Sequence, residues 1–420
     1  MPGNSLKPIS SLSQATTSKM EKLPEKEDKD FLIARKVQEA MIPHSLPAIE
    51  GIDIASLYHP CSTVGGDLFD VIHISEDMLA FLIFDVSGHG VSSALIASMA
   101  KLAFLNHIRN VASPRSLIER VNKEIVQHAL ADYFITAFAA FLDLHNNKLS
   151  YCNAGHPPPL VFKKEDRQLV SLGTSGLFIG IFEDGLYEEK ILYLNPGDWL
   201  VLFSNGIYSL FNSENELQGR KRLELEILRK LDDCSPAGLV ECFDSKLNDL
   251  QQTRALDDDL TAIVIEVLTA SRKNQIKDKL GFDPKAPVYL MFINYFEEMD
   301  RATAVILKEM DEFGYPDDSI RKMKIALTEL LANAIYHGNK KDHTKKVTIG
   351  HITTKHHVTV AIMDEGEGFD IDAVPDPTLP ENLEKDCGRG LFIVRNYVDF
   401  VDYNEKGNRV IIRKHRITDS

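Results

Sequence analysis

Residues 65–90 read GGDLFDVIHISEDMLAFLIFDVSGHG, and the first half of the chain is organised around them. Two aspartates, Asp67 and Asp85, stand at the ends of adjoining strand-like segments, each next to or near glycine. Residues 79–84 are an unbroken apolar run, the pattern of a buried strand. That strand delivers Asp85 to a sheet edge, with the turn Ser87-Gly88-His89-Gly90 just beyond it. Carboxylates presented this way suit hard divalent cations, which take oxygen ligands and accept a backbone carbonyl such as that of Val86 among them. A capped turn leading into a helix accounts for the same residues, because Asp85 and Ser87 are good N-cap types. On these residues alone the two readings stand level.

The rest of the chain sets bounds. Its 420 residues, 44% apolar and 26% charged, are enough for two or three domains with sizeable cores. A net charge of −15 without a basic cluster argues against a sequence-independent nucleic-acid binder, so phosphate-bearing partners must be held locally. Five cysteines without CxxC spacing fit reduced thiols and signal no zinc site. The apolar runs read as shorter than a membrane span, and the N-terminus lacks a signal-peptide pattern, so a cytoplasmic protein with no membrane partner is expected.

Residues 1–29, rich in Ser, Thr, Lys and Glu, are expected to form a disordered tail. A regulatory or linker segment follows at 30–45. In it Asp30 can cap an amphipathic helix over 31–42, with Phe31, Ala34, Val37 and Met41 on or near one face and Pro43 ending it. Residues 46–268 are strand-rich. Helices are expected at 91–109, so apolar that it must be largely buried, at 114–130 and at 236–250. Strands are expected at 134–144, 148–153, 159–162, 187–194, 199–203 and 260–267. Such a series implies sheets packed on each other and covered by helices.

Five motifs occur in order here: Gly65-Gly66-Asp67, Asp85-Val86-Ser87-Gly88-His89-Gly90, Asn153-Ala154-Gly155-His156-Pro157-Pro158, Ser204-Asn205-Gly206 and Asp258-Asp259-Leu260-Thr261. In order and spacing they resemble the metal-dependent serine/threonine phosphatases of the SpoIIE type, over roughly residues 30–268. The resemblance implies an αββα sandwich holding two Mn²⁺ or Mg²⁺ ions. Asp85 would bridge the metals, the Val86 carbonyl would bind one and Asp258 the other, and Asp67 would hold metal-bound water. The helix at 31–42 resembles the family's regulatory helix. His89 and His156 read as turn-stabilising partners rather than ligands. One departure stands out: the family's Thr-Asp-Gly turn carries a ligating aspartate where this chain has Asn205. An amide keeps a carbonyl oxygen but brings no charge, so the second metal is expected to bind more weakly.

Residues 269–287 read as a polar, lysine-rich linker ending in Pro-Lys-Ala-Pro. Beyond it, over 288–415, the pattern turns α+β, with helices expected at 294–313 and 316–338 and strands at 346–353 and 357–363. Glu329 and Asn333, four apart, share a helix face where a carboxylate and an amide can hold Mg²⁺ and an attacking hydroxyl. Asp364, followed by Gly366 and Gly368, can accept a hydrogen bond from an adenine amino group while the glycines let backbone approach. Gly388-Arg389-Gly390 opens a helix at 391–397 whose free N–H groups can meet phosphate.

ELLANAIYHGN, MDEGEGFD and CGRGLFIVRNYVD resemble the N, G1 and G2 boxes of the GHKL ATP-binding fold, most closely the small anti-sigma-factor serine kinases. The loop 370–387 looks like the ATP lid. The resemblance implies a histidine-kinase-like α/β sandwich using ATP·Mg²⁺. Glu329 would be the base, Asn333 would sit on Mg²⁺ and Asp364 on adenine. Together the resemblances imply an α+β multidomain regulator, a phosphoserine-protein phosphatase joined to a serine kinase. Its target would be a STAS-type antagonist, with a sigma factor as a further partner and a homodimer as an open option. Two alternatives stand beside it: a kinase with an impaired pseudophosphatase domain, and a non-enzymatic binding module.

Overall fold

The computed structural model describes residues 25–416 apart from 44–45, 48, 50, 76, 129–132, 212–214, 232–233, 295, 343–344, 372–373 and 375–388. Most of the expected tail, Gly388 and nearly all of the expected lid therefore lie outside the described residues.

Helix α1, Glu25–Glu39, opens inside the stretch expected as tail and ends short of residue 42. Its first turn is built of Glu, Lys and Asp, strong helix formers or acids that favour the positive end of the helix dipole. The chain then runs through β1 (Ile52–His59), β2 (Leu68–Ser75), β3 (Met78–Val86), α2 (Val91–Ile108), α3 (Pro114–His128), β4 (Ile135–Asp143) and β5 (Lys148–Ala154). It continues with β6 (Leu160–Lys163), β7 (Gln168–Ser171), β8 (Glu189–Tyr193), β9 (Trp199–Phe203), α4 (Glu216–Lys230), α5 (Pro236–Gln251) and β10 (Leu260–Val267).

Two five-stranded antiparallel sheets result, β1-β10-β9-β6-β7 and β2-β3-β4-β5-β8. Their facing surfaces share one core that includes Ile54, Phe81, Phe138, Leu200 and Ile263. Helices α2 and α3 cover the outside of the second sheet, and α4 and α5 the outside of the first. This is an αββα sandwich. Strand β10 is buried on both faces along its whole length, which is why it is apolar almost throughout.

Two expectations about α2 need correcting. It is long and apolar enough, by length and composition, to cross a membrane, yet half of it is packed as core. Nor is it buried all round: Val91, Leu95, Met99, Leu102 and Leu105 form an exposed stripe on its outer face.

The stretch expected as a linker is largely helical. Helix α6, Ala270–Leu280, is capped by the Thr269 side chain, which accepts from Arg272 N, and is closed by Gly281 at φ 86°. It then packs Leu280 against Val288, Leu290 and Ala361 of the next sheet. That sheet has the order β11-β12-β13-β15-β14 and is antiparallel throughout. Its strands are β11 (Tyr289–Ile293), β12 (Val347–Thr353), β13 (His357–Asp364), β14 (Phe400–Tyr403) and β15 (Arg409–His415). On its other face lie α7 (Met299–Glu312), α8 (Asp317–Asn333) and α9 (Arg389–Tyr397), around a core that includes Ile306, Leu327, Val360 and Val394. The second half is thus an α/β sandwich with α6 on its reverse face.

Candidate active sites

The first site lies at one end of the sandwich, where the loop before β2, the end of β3 and the loop before β10 meet. Asp85, one residue before the end of β3, stands opposite Thr136 of β4. Asp67 is fully buried, and its Oδ2 accepts from Thr261 Oγ1 at 2.7 Å. Asp258 Oδ2 accepts from Asn205 Nδ2 at 2.8 Å. Asp259, its neighbour, is occupied with backbone: it accepts from the N–H groups of Cys61 (2.7 Å), Gly66 (2.6 Å) and Asp67 (3.2 Å). Asp258 and Asp259 therefore do different work, one facing the Asn205 turn and the other pinning the Gly65-Gly66-Asp67 turn.

The glycines are sterically required. A Cβ on Gly65 would strike the Asp259 carboxylate, and one on Gly206 would strike the Asp259 carbonyl. A Cβ on Gly66 would sit 2.9 Å from the Val86 carbonyl.

The electrostatics reflect crowding of like charge. Asp85 is pushed up to about 7 by burial and by Asp258 and Asp259. Burial, Asp85 and Asp259 push Asp67 well up. Asp258 is raised by burial and by Asp259, against the pull of hydrogen bonds from the Asp259 N–H and Asn205. Among the described residues no three His, Cys, Asp or Glu side chains are already closed around a common point. The fit to divalent metal lies in donor chemistry: oxygens only, most of them carboxylate, each destabilised as an anion until positive charge arrives.

His156 is buried, its Nδ1 pairs with Thr136 Oγ1 at 2.9 Å, its N–H donates to Asn153 Oδ1, and burial pushes it down to about 3. It is a neutral turn-stabilising residue. His89 is exposed.

Gln38 of α1 carried no signal in the sequence. It is buried, its Nε2 donates to the Gly65 carbonyl (2.6 Å) and its Oε1 accepts from the Gly65 N–H (2.9 Å). A helix that would otherwise be peripheral is fastened by one amide to the turn that carries Asp67.

The second site is a cavity of about 780 Å³ between α8, the end of β13 and the start of α9. Glu329, Asn333, Asp364, Gly368 and Gly390 line it together. Asn333 Nδ2 donates to Glu329 Oε1 at 3.3 Å, as the four-residue spacing predicts. Asp364 is raised by burial, and its Oδ1 accepts from Gly366 N at 2.8 Å. Backbone approaches closely here. A Cβ on Gly338 would meet the Asp364 carboxylate, one on Gly366 the Gly338 carbonyl, and one on Gly390 the Glu329 carboxylate. Gly368 has φ 79°. Residues Ala334–Gly338 form a π-helical turn, a distortion that recurs at functional sites. Arg389 and Gly390 open α9, and Leu391 also lines the cavity. His337, Phe369, Tyr403, Asn408 and Val410 also line it; the first two fall inside the quoted boxes, and the other three carried no signal in the sequence.

These two sites can be set beside known proteins. The model of Stage II sporulation protein E (SpoIIE) matches residues 75–268, and that of the histidine kinase-like ATPase domain matches residues 296–414. The phosphoserine phosphatase RsbU of Bacillus subtilis is 30% identical over 235 residues, covering 56% of this chain and 68% of RsbU. The chain belongs to the SpoIIE-type phosphatase family. Its second half carries a histidine-kinase-like ATPase domain, and the serine-protein kinase RsbW of Oceanobacillus iheyensis is 29% identical over 112 residues, 25% of this chain and 71% of RsbW. A crystal structure of the RsbU and RsbW domains of Rv1364c from Mycobacterium tuberculosis is 18% identical, covers 90% of this chain and 99% of that one, and superposes with a TM-score of 0.49.

Proposed function

We propose that this SpoIIE-type chain is a cytoplasmic partner-switching regulator. One half is an Mn²⁺- or Mg²⁺-dependent phosphoserine-protein phosphatase; the other is an ATP-dependent serine kinase acting on a STAS-type antagonist. The observation that carries the reading is the presence in one chain of both the carboxylate cluster of Asp67, Asp85 and Asp258 and the cavity that gathers Glu329, Asn333 and Asp364.

In the first site Asp67, Asp85, the Val86 carbonyl, Asn205 and Asp258 would hold two divalent ions. Such ions, when bound, polarise a phosphoryl group and lower the pKa of water. Thr261 would orient Asp67 for that role through its hydroxyl, which donates to Oδ2. In the second site Glu329 takes the proton from the target serine as its oxygen attacks the γ-phosphorus, and ADP leaves. Asn333 orients Glu329 and would hold Mg²⁺. Asp364 would receive the adenine amino group, Gly366 and Gly368 would let backbone approach the nucleotide, and the start of α9 at Arg389 and Gly390 would offer its N–H groups to phosphate.

A second reading has its own support. Asn205 turns its Nδ2 toward Asp258, so a cation between them requires the amide to be turned over, oxygen inward. This favours a weakened phosphatase site and a chain that works chiefly as a kinase. The deciding experiment measures Mn²⁺-dependent phosphate release from a phosphoserine protein by the native chain, Asn205→Asp and Asp85→Ala. Release by the native chain, lost in Asp85→Ala, supports two enzymes. Release by Asn205→Asp alone makes the first half a regulatory remnant.

A further inference from the structure

The two halves share a buried ion pair. Asp53 lies on β1 opposite Glu266 of β10, and both point to the outer face of the first sheet, the side on which Ala55, Leu57, Ala262 and Val264 pack under α4 and α5. Asp53 is only 5% exposed because Lys346, the residue before β12 in the second half, covers it. Lys346 Nζ donates to Asp53 Oδ1, stands 5.6 Å from the centre of the Phe292 ring, and is itself 3% exposed. A lysine ammonium is seldom buried this far without a partner, and separating the pair would strand a charge on each side.

Both ends of this contact lead to a site. Lys346 N–H donates to Glu365 Oε2 (2.9 Å), Glu365 N–H donates to Asn339 Oδ1 (2.9 Å), and Val347 pairs in register with Asp364. The residue that grips Asp53 is therefore one hydrogen bond from the loop that holds the acid of the nucleotide cavity. On the other side, β1 and β10 run in register from Asp53 and Glu266 to His59 and Leu260. Just beyond that end, Cys61 N–H donates to Asp259, next to Asp258.

We propose that the Asp53–Lys346 pair is the joint that couples nucleotide binding in the second half to the setting of strands β1 and β10 in the first. The coupling rests on the nucleotide reading of the second cavity. A ligand that draws the Asp364–Gly366 loop inward moves Glu365 and with it Lys346, and the pull arrives at two strands that end at the carboxylate cluster. Such coupling is reciprocal, so changes in the first half return to nucleotide affinity by the same factor.

The test is hydrogen–deuterium exchange on the full chain, with and without a non-hydrolysable ATP analogue and Mg²⁺, and with analogue binding measured on the same samples. The native chain is expected to slow exchange at least ~3-fold over residues 52–59 and 260–267 when the analogue binds, a shift in local opening that linkage allows. Lys346→Met alone, and the apolar pair Asp53→Leu with Lys346→Met, are expected to bind the analogue yet lose that distant protection. Binding with protection confined to residues 289–415 in the native chain overturns the coupling and leaves the nucleotide reading standing. Distant protection that survives in both variants overturns the role of the pair. No binding at all overturns the nucleotide reading and the coupling together.

Discussion

Asp85 and Asp364 are both half-buried carboxylates at the end of a strand, and burial raises both. Their surroundings differ. Around Asp85 the neighbours are further acids: Asp258 and Asp259 both raise it, and Asp259 raises Asp258 as well. Around Asp364 the neighbours are a Gly366 N–H that donates to its side chain, a nearby Lys406 charge, and Asn408, which holds its backbone carbonyl. On the proposed reading, cations from solution would complete the first site. The second gives its acid donors of its own and keeps an open cavity beside it. A site of the first kind is tuned by ion supply, whereas a site of the second kind is tuned by access.

That contrast can be broken at several points. The largest effect is expected from Asp85→Ala, which should take Mn²⁺-dependent phosphate release to background while the chain still binds nucleotide; loss of both would mean the halves are not separable. Next, Glu329→Ala should slow phosphotransfer by about 10²–10⁴-fold, the usual contribution of a general base. ATP-analogue affinity should change only a few-fold, and unchanged transfer would remove Glu329 from its role. Asn205→Asp should then tighten Mn²⁺ by about 10–100-fold through added ligand charge, read by calorimetry; equal affinities would show that the amide serves as well as the acid.

The smallest effect concerns Glu266, which burial, with help from Asp53, pushes up from 4.5 to about 7 against the pull of Arg272, Lys346 and Lys164. Between those values the folded chain binds more protons than the unfolded chain, so stability falls as pH rises through the window and the deficit is complete above pH 7. Glu266→Gln removes that titration. It should gain about 1–3 kcal/mol on the native chain between pH 4.5 and 8 in denaturant unfolding. Parallel curves for the two proteins would contradict it.

The sequence was most legible where an element is buried on both faces or where a motif forces backbone close to a side chain. β9 and β10 have the bounds their apolar runs predict, because only Thr261 and Glu266 of β10 interrupt them. The Glu329–Asn333 pair and the glycines of the second cavity were readable because helical spacing and close approach leave few other residue types. Helices α4 and α6 were missed because each buries so little of itself: Gly219, Leu223 and Ile227 in one, Leu280 alone in the other. Strand β14 is the edge of its sheet and β15 lies between it and β13; both are partly exposed and carry charged residues that blur the alternation. Within the first site, adjacent aspartates look alike in sequence, and only the three backbone donors to Asp259 separate its work from that of Asp258. Gln38 looks like any polar residue of an amphipathic helix until its partner is seen.

Helix α6 begins three residues after β10 ends and closes on the sheet of the second half, so the connection behaves as a short axle rather than a tether. Eleven residues of helix span only about 16 Å. Each residue added to or removed from such an axle turns everything beyond it by about 100°. The angle at which the kinase-like half faces the phosphatase-type half is thus written in the length of one helix as well as in the Asp53–Lys346 contact, and a single-codon insertion there would pull that contact apart.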